Sequence, residues 1–293
     1  MPKMSALAKL KEVLLKKQFL ILKPLYSKQT IEVWNEKFNA IFSSQNLPRR
    51  YVNALDIFNA GLLKDVFTPQ LQQLIYGMMP DAVLFHCHSY EIDANNARSH
   101  IADDVFLDGW HRDIDCLHDL DNGDIQHISL FVYLTDVYDT NGAFEVCDKV
   151  LGYFPRLFKS FRFYKIIGAK GHTFLFSRSA FHRASPNISD VPRRVLKISW
   201  QSKRLPNNKL DLNQFTQVKR QLDGADVFLR QLFGDDQVSA EQVSTFMAKS
   251  NCPVELGGKP EKINLSMGLL KEFRGVVKDL VYVKRLIIYK FLN

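Results

Sequence analysis

Four residues in the middle of this chain have the types and the spacing to hold a metal ion and an organic acid. Trp110-His111-Arg112-Asp113 carries an imidazole and a carboxylate two positions apart, His182 adds a second imidazole, and Arg193 stands eleven positions beyond it. Two imidazoles and one carboxylate on one side of Fe(II) form a facial triad and leave coordination positions open for chemistry. Alternate side chains of a strand share a face, so His111 and Asp113 would point the same way. His182 must then come from a different strand that the fold brings alongside. An arginine near such a cluster suits the far carboxylate of an organic acid, because its fork binds a carboxylate through two bonds. Arg193 and Arg194 are neighbours, so on a strand they face opposite sides and only one of them can reach such a ligand.

The elements around these residues follow from periodicity. Residues 5–18 read as a short basic amphipathic helix and 19–25 as a strand ending near Pro24. Ser27 has the character of an N-cap, followed by a helical stripe of Ile31, Trp34, Phe38, Ile41 and Phe42. A second helix is predicted over 62–77, ending before Pro80. The pattern then turns to strands, predicted at 83–92, 109–116, 126–136, 143–147, 172–177, 180–184 and 194–201. Turn signals such as Asp121-Asn122-Gly123 and Thr140-Asn141-Gly142 separate them. Strands of this kind argue for a jelly-roll or barrel-like double sheet. Pro206-Asn207-Asn208 marks a change of texture, and helices are predicted near 213–234, 239–249 and 265–291. The expected division is a core over 1–204, carrying its N-terminal helices, and a helical C-terminal subdomain over 205–293.

Composition limits the function classes. Hydrophobic content of 46% and charged content of 24% describe an ordinary globular protein. Cys87, Cys116, Cys147 and Cys252 are scattered without a C-x-x-C, which argues against a disulfide framework and fits a reducing compartment that also keeps iron ferrous. No secretory signal and no membrane-spanning apolar run is evident, so the expected location is cytoplasmic. The net charge of +8 is uneven: residues 1–23 carry +5 and residues 266–293 carry +4, leaving −1 between them. Two basic ends on a near-neutral body suggest an anionic partner, and place the protein peripherally on the inner face of the cytoplasmic membrane. In the last predicted helix Leu270, Phe273, Val277, Leu280, Ile287 and Phe291 form an apolar side flanked by Lys271, Arg274, Lys278 and Arg285. Such a helix either packs within the protein or an oligomer, or lies on anionic lipid. No aromatic-basic recognition motif is evident, so nucleic acid is not expected as a partner.

The chain resembles the phytanoyl-CoA dioxygenase family of Fe(II)/2-oxoglutarate oxygenases over roughly residues 15 to 203. The resemblance rests on the ordered set of H-x-D, Asn141-Gly142, His182 with Asn187 five positions on, and Arg193. Leu134-Thr135-Asp136-Val137 and Ala143-Phe144-Glu145-Val146 are similar to the central hairpin of the family. Gly171 with Phe174 to Phe176 resembles its strand into the second metal histidine, and Phe19-Leu20-Ile21-Leu22 its N-terminal opening. The family's Pro-Gly-Ser-His stretch after the hairpin is replaced by Cys147-Asp148-Lys149-Val150-Leu151-Gly152, a departure that bears on substrate class. The resemblance implies a double-stranded β-helix core. It also implies Fe(II), 2-oxoglutarate and O2 as cofactors, with ascorbate as the reductant in vitro. His111, Asp113 and His182 would be the metal ligands, and Arg193 rather than Arg194 the anchor of the 5-carboxylate. Asn187 matches a family position with either a site role or a turn role.

Other residues carry weaker expectations. Ser129 and Tyr133 share one face of the strand after H-x-D, and either could hydrogen-bond the oxo acid or simply build the sheet. Asp115 shares the face of Asp113 as a rival ligand or plain strand-edge structure. His86 and His88 are structural or substrate-lining, while Arg98, Arg178 and Arg183 are candidates for the mouth of the site. The expected activity is hydroxylation of an anionic, membrane-anchored substrate, for which the basic tail resembles the hydroxylases of the Kdo sugar of lipid A. The alternatives are a hydroxylase of a soluble small molecule or acyl derivative, a Zn(II) hydrolase using the same three ligands, and a non-catalytic metal-binding relative.

Overall fold

The computed structural model describes residues 6–96, 109–113, 125–147, 163–205, 211–222, 227–234, 239–248 and 254–263. The chain opens with α1 (Ala6–Lys17), β1 (Phe19–Leu22) and α2 (Lys28–Ser43), then β2 (Arg49–Asn53), α3 (Ala54–Asn59), α4 (Leu63–Val66) and α5 (Pro69–Met78). The strands β3 (Ala82–Ile92), β4 (His127–Tyr133), β5 (Phe144–Cys147), β6 (Phe163–Ile166), β7 (Thr173–Ser177), β8 (His182–Ala184) and β9 (Arg193–Ser202) follow. Three helices, α6 (Leu212–Gln221), α7 (Val227–Leu232) and α8 (Ala240–Ala248), precede β10 (Glu261–Ile263). A six-stranded sheet runs β1-β7-β4-β9-β3-β2 and a four-stranded sheet runs β10-β6-β5-β8. Every strand pairing within them is antiparallel.

The larger sheet has two different faces because its strands alternate two kinds of residue. On β4 and β9, Ile128, Leu130, Val132, Leu196, Ile198 and Trp200 point to one side. There they join Ile31, Trp34, Phe38 and Phe42 of α2 and Leu71, Leu74 and Ile75 of α5. Phe131, Tyr133 and Val195 of the same strands point to the other side and meet Phe144, Val146 and Ile166 of the smaller sheet. Each layer therefore buries a continuous apolar surface, the driving term for stacking. Phe215, Val218, Leu229, Leu232 and Val243 of the C-terminal helices belong to the helix-side cluster.

The helix signals hold in detail at α2, where the Ser27 hydroxyl accepts from the Thr30 amide at 3.0 Å. The helix expected over 62–77 is instead two helices, α4 and α5. Pro69 biases Thr68 away from the helical region, and Thr68 then caps α5 by accepting from the Leu71 amide at 3.2 Å. The helix expected over 213–234 is found as α6 and α7, with 223–226 outside the described residues. β2, β6 and β10 were not expected. The predicted helix at 265–291 with its basic flank, Asp115, Arg98 and the turn at 121–123 all lie outside the described residues. Among the described residues, no helix is long and apolar enough to cross a membrane.

Candidate metal centre

The site sits between the two sheets. His182 opens β8, and a backbone bridge pairs it with His111: each amide donates to the other residue's carbonyl at 2.9 Å. Over 109–113 the structure shows this bridge rather than a strand, and the rest of the strand expected over 109–116 lies outside the described residues. The bridge brings the imidazole rings to 4.4 Å between centroids. Asp113 is held by its amide, which donates to the Arg178 carbonyl at 3.1 Å. Asp113 Oδ1 then lies 3.6 Å from His111 Nε2 and 3.8 Å from His182 Nε2. The ligand atoms of the three residues all fall within 4.8 Å of one another.

The second ring nitrogens decide what the first can do. His111 Nδ1 is 2.8 Å from the Gly109 carbonyl, and His182 Nδ1 is 2.8 Å from the Ala180 carbonyl. A carbonyl only accepts, so Nδ1 carries a proton in each ring and Nε2 is the nitrogen turned toward Asp113. Burial pushes the His182 imidazole down to about 3; Asp113 and the Ala180 carbonyl oppose that, while His111 and Lys197 reinforce it. Burial alone would raise the Asp113 carboxyl, but Lys197, the His111 hydrogen bond, His182 and Arg178 outweigh it and hold it well below the usual range. A neutral His182 and an ionised Asp113 are the protonation states a divalent metal requires of such ligands. The donor set and its backbone braces fit a facial-triad metal.

Asp113 divides its two oxygens. Oδ1 faces the histidines, whereas Oδ2 lies 3.0 Å from Lys197 Nζ and 3.5 Å from Arg178 Nε. Lys197 projects from β9 over the rings of Phe131 and Phe176. Phe144 stacks on His182 at 5.2 Å, closing one side of the centre with an apolar wall. A cavity of about 230 Å³ opens beside the triad, bordered by Arg49, Tyr51, His86, His88, Tyr90 and Lys197 among others.

The other expected residues are placed as follows. Arg193 is fully buried at the start of β9, donating to the Gly142 carbonyl and, at 2.9 Å, to the Tyr90 hydroxyl. Its Nε is buried with no hydrogen-bond partner among the described residues. Gly142 has φ +86°, and a Cβ there would come within 3.1 Å of the Ser185 carbonyl, so the Asn-Gly turn can support Arg193 only as glycine. Arg193 does not itself border the cavity; Tyr90, to which it is bonded, does. Arg194 points the opposite way, pairing with Glu91 and donating to Asn39 at 2.6 Å. Ser129 shares a 2.7 Å hydrogen bond with Ser199, which borders the cavity. The Tyr133 hydroxyl donates to the Ile166 carbonyl at 2.6 Å and accepts from the Phe144 amide at 3.2 Å, tying the sheets together. The Asn187 amide donates to the carbonyls of Asp93 and Val191, stapling its loop. Arg178 does border the cavity, whereas Arg183 pairs with Glu145.

Sequence reasoning missed Arg49, Lys197 and Asp211. Lys197 was within reach, since it is in phase with Arg193 on one strand face. Asp211 lies 2.6 Å from His86 Nδ1 and is joined to it only by the tertiary fold.

No protein-family model matches the chain, and no curated protein matches it. Solved structures do. SnoN, a non-haem α-ketoglutarate-dependent epimerase from nogalamycin biosynthesis, is 12% identical with a TM-score of 0.53, covering 67% of this chain and 83% of its own. SnoK, a carbocyclase of the same dependence and pathway, is 9% identical at TM-score 0.51, covering 69% of this chain and 87% of its own. EvdO2 from Micromonospora carbonacea var. aurantiaca is 12% identical at TM-score 0.50, covering 66% of this chain and 89% of its own. The fold is a double-stranded β-helix jelly roll. At such identities the likeness concerns the fold, and the chemistry must be argued from this chain's own residues.

Proposed function

We propose that this protein is an Fe(II)/2-oxoglutarate-dependent dioxygenase. The observation that carries the reading is the convergence of His111, Asp113 and His182 within 4.8 Å on a fold of this type. These three side chains would hold the iron, which with 2-oxoglutarate and O2 supplies oxidation of an unactivated C–H bond. The chain's own residues do the positioning. Gly109 and Ala180 carbonyls fix both imidazole tautomers, and Lys197 with Arg178 keeps Asp113 turned with one oxygen toward the histidines. Arg193 is the proposed partner of the oxo acid's distal carboxylate, through the buried Nε that lacks a partner among the described residues. Ser129, through Ser199, and Tyr133 and Asn187, through the loops they brace, support the site from behind. Phe131, Phe144 and Phe176 exclude water from the centre. A hydrolase with Zn(II) on the same ligands has no use for a buried arginine of this kind.

We assign the substrate to anionic small molecules. Arg49, Arg178 and Lys197 border the cavity, against Asp113 as its acid. The basic ends of the sequence favour a membrane-borne member of that class, such as the Kdo sugar of lipid A, with the protein peripheral to the inner membrane face. The SnoN and SnoK structures are described as an epimerase and a carbocyclase, so outcomes other than hydroxylation belong to the same reading. Incubation with Fe(II), ascorbate and 2-oxoglutarate should release succinate; iron-independent hydrolysis would favour the zinc reading. Binding to anionic vesicles that high salt weakens would support the membrane-borne substrate, and failure to sediment with them at low salt would favour a soluble one.

A further inference from the structure

Arg49 is the charged group of the cavity that the metal centre does not explain. It lies at the start of β2, where it pairs with Ile92 of β3, so its side chain enters the space between the sheets beside Tyr90. The guanidinium lies 4.1 Å from the Tyr90 ring centroid and 5.4 Å from that of Tyr51. Arg193 lies 5.4 Å from the same Tyr90 ring. Two cations share one aromatic. Yet Nε and Nη1 of Arg49 are both buried without a hydrogen-bond partner among the described residues. His88 Nδ1, on a ring 5.6 Å from each tyrosine, is in the same state.

A buried guanidinium without a counter-ion is costly, and the acids beside it among the described residues do not relieve it. Glu91 is taken by Arg50 and Arg194 on the opposite face of the sheet. Asp93 is taken by Arg50, and Asp113 by Lys197 and Arg178. Burial, and after the opposing tyrosines the like charge of Arg193, push the Arg49 guanidinium below its ordinary value. An incoming oxyanion would relieve each of these penalties. Nε and Nη1 each keep an N–H to offer to a carboxylate oxygen.

We propose that Arg49 is an oxyanion-binding residue of this cavity, seating a carboxylate of a small organic acid. This deepens the reading above by giving the acidic ligand a named seat, though the seat itself needs no metal. The carboxylate has two sources, the distal end of the oxo acid or a separate substrate, and the experiment separates them.

Metal-free full-length protein is titrated calorimetrically with glutarate, alongside Arg49→Gln, Arg49→Lys and His182→Ala variants whose thermal melts confirm folding. Wild type and His182→Ala should bind glutarate alike. Arg49→Gln should bind it about tenfold or more weaker, as losing a charge-assisted pair implies, with Arg49→Lys in between. The Mn(II)-loaded protein is then titrated with 2-oxoglutarate and with 2-oxopentanoate, which lacks the distal carboxylate. Loss confined to 2-oxoglutarate in Arg49→Gln assigns the seat to the oxo acid. Unchanged binding of both, with glutarate binding lost, assigns it to the substrate. Folded Arg49→Gln protein that binds all three acids as wild type does would overturn the proposal. Failure of Mn(II) to bind at all, with the glutarate result intact, would count against the metal centre and leave Arg49 standing.

Discussion

The two faces of the large sheet carry the same kinds of residue and treat them in opposite ways. On the helix side, Arg194 meets Glu91, Asn39 and Asn35, and Glu91 also meets Arg50, so that these charges are paired. On the cavity side, one residue away, Arg193 keeps a buried Nε without a partner among the described residues, and Arg49 keeps two such nitrogens. Both faces are buried, so exposure does not explain the difference. A polar group that folding leaves unmet in the interior costs free energy, and that cost is tolerated where a ligand completes it. The indole N–H groups of Trp34 and Trp200 also lack a partner among the described residues on the helix side, so what sets the cavity face apart is its unpaired charge. The charge-saturated face is architecture and the unsaturated face is the proposed site.

The largest effect should come from breaking the centre of the unsaturated face. His182→Ala removes a ligand nitrogen while leaving its backbone bridge to His111 free to form. We expect Fe(II) affinity to fall on the order of a hundredfold or more, read by anaerobic titration, with the thermal midpoint little changed. The neighbouring arginines sharpen the contrast. Arg193→Ala should weaken 2-oxoglutarate binding by about 2–5 kcal/mol, because a buried carboxylate loses its partner. Arg194→Ala should leave that binding nearly unchanged and instead cost about 1–3 kcal/mol of stability, seen as a lower denaturant midpoint, since Glu91 is left short of one bond.

A smaller effect tests the histidines of the cavity face by pH. His127 is pushed down to about 4, by burial and then by Arg178, and His182 down to about 3. Both are neutral when folded, but in the unfolded chain they take up protons below about 6.5. The unfolded state therefore binds more protons in this window, and folding free energy must fall with pH. Stability of metal-free protein should decline from about pH 6.5 toward pH 4, by about 1.4 kcal/mol per unit for each histidine. His127→Gln should flatten the slope by one such contribution; an unchanged slope would mean that His127 is not buried neutral. The smallest effect belongs to Ser129→Ala, expected to cost about 1 kcal/mol through the lost bond to Ser199, with metal affinity preserved.

What the sequence reveals and what it hides follow the range of the interactions involved. The local pattern shows β3, β4, β7 and β9 to within a few residues, because each is buried along nearly its whole length. Parity alone separates Arg193 from Arg194, and the structure puts them on opposite faces as parity requires. The triad was legible as spacing, since H-x-D needs only local geometry. β2 was hidden because Arg49-Arg50-Tyr51-Val52-Asn53 has one fully buried side chain, Val52, and becomes a strand only by pairing with β3. Arg49 was hidden with it. The break between α4 and α5 was written in Thr68-Pro69 but masked by the apolar residues on either side.

The central claim is that the unsaturated face is an iron and oxo-acid site. Its most direct test is succinate formed from 2-oxoglutarate under air, with Fe(II) and ascorbate, by wild type and by Asp113→Ala at equal folded concentration. The account predicts iron-dependent succinate from wild type and none above background from Asp113→Ala. Equal succinate from both proteins would contradict it, because Asp113 is the carboxylate on which the whole centre is built.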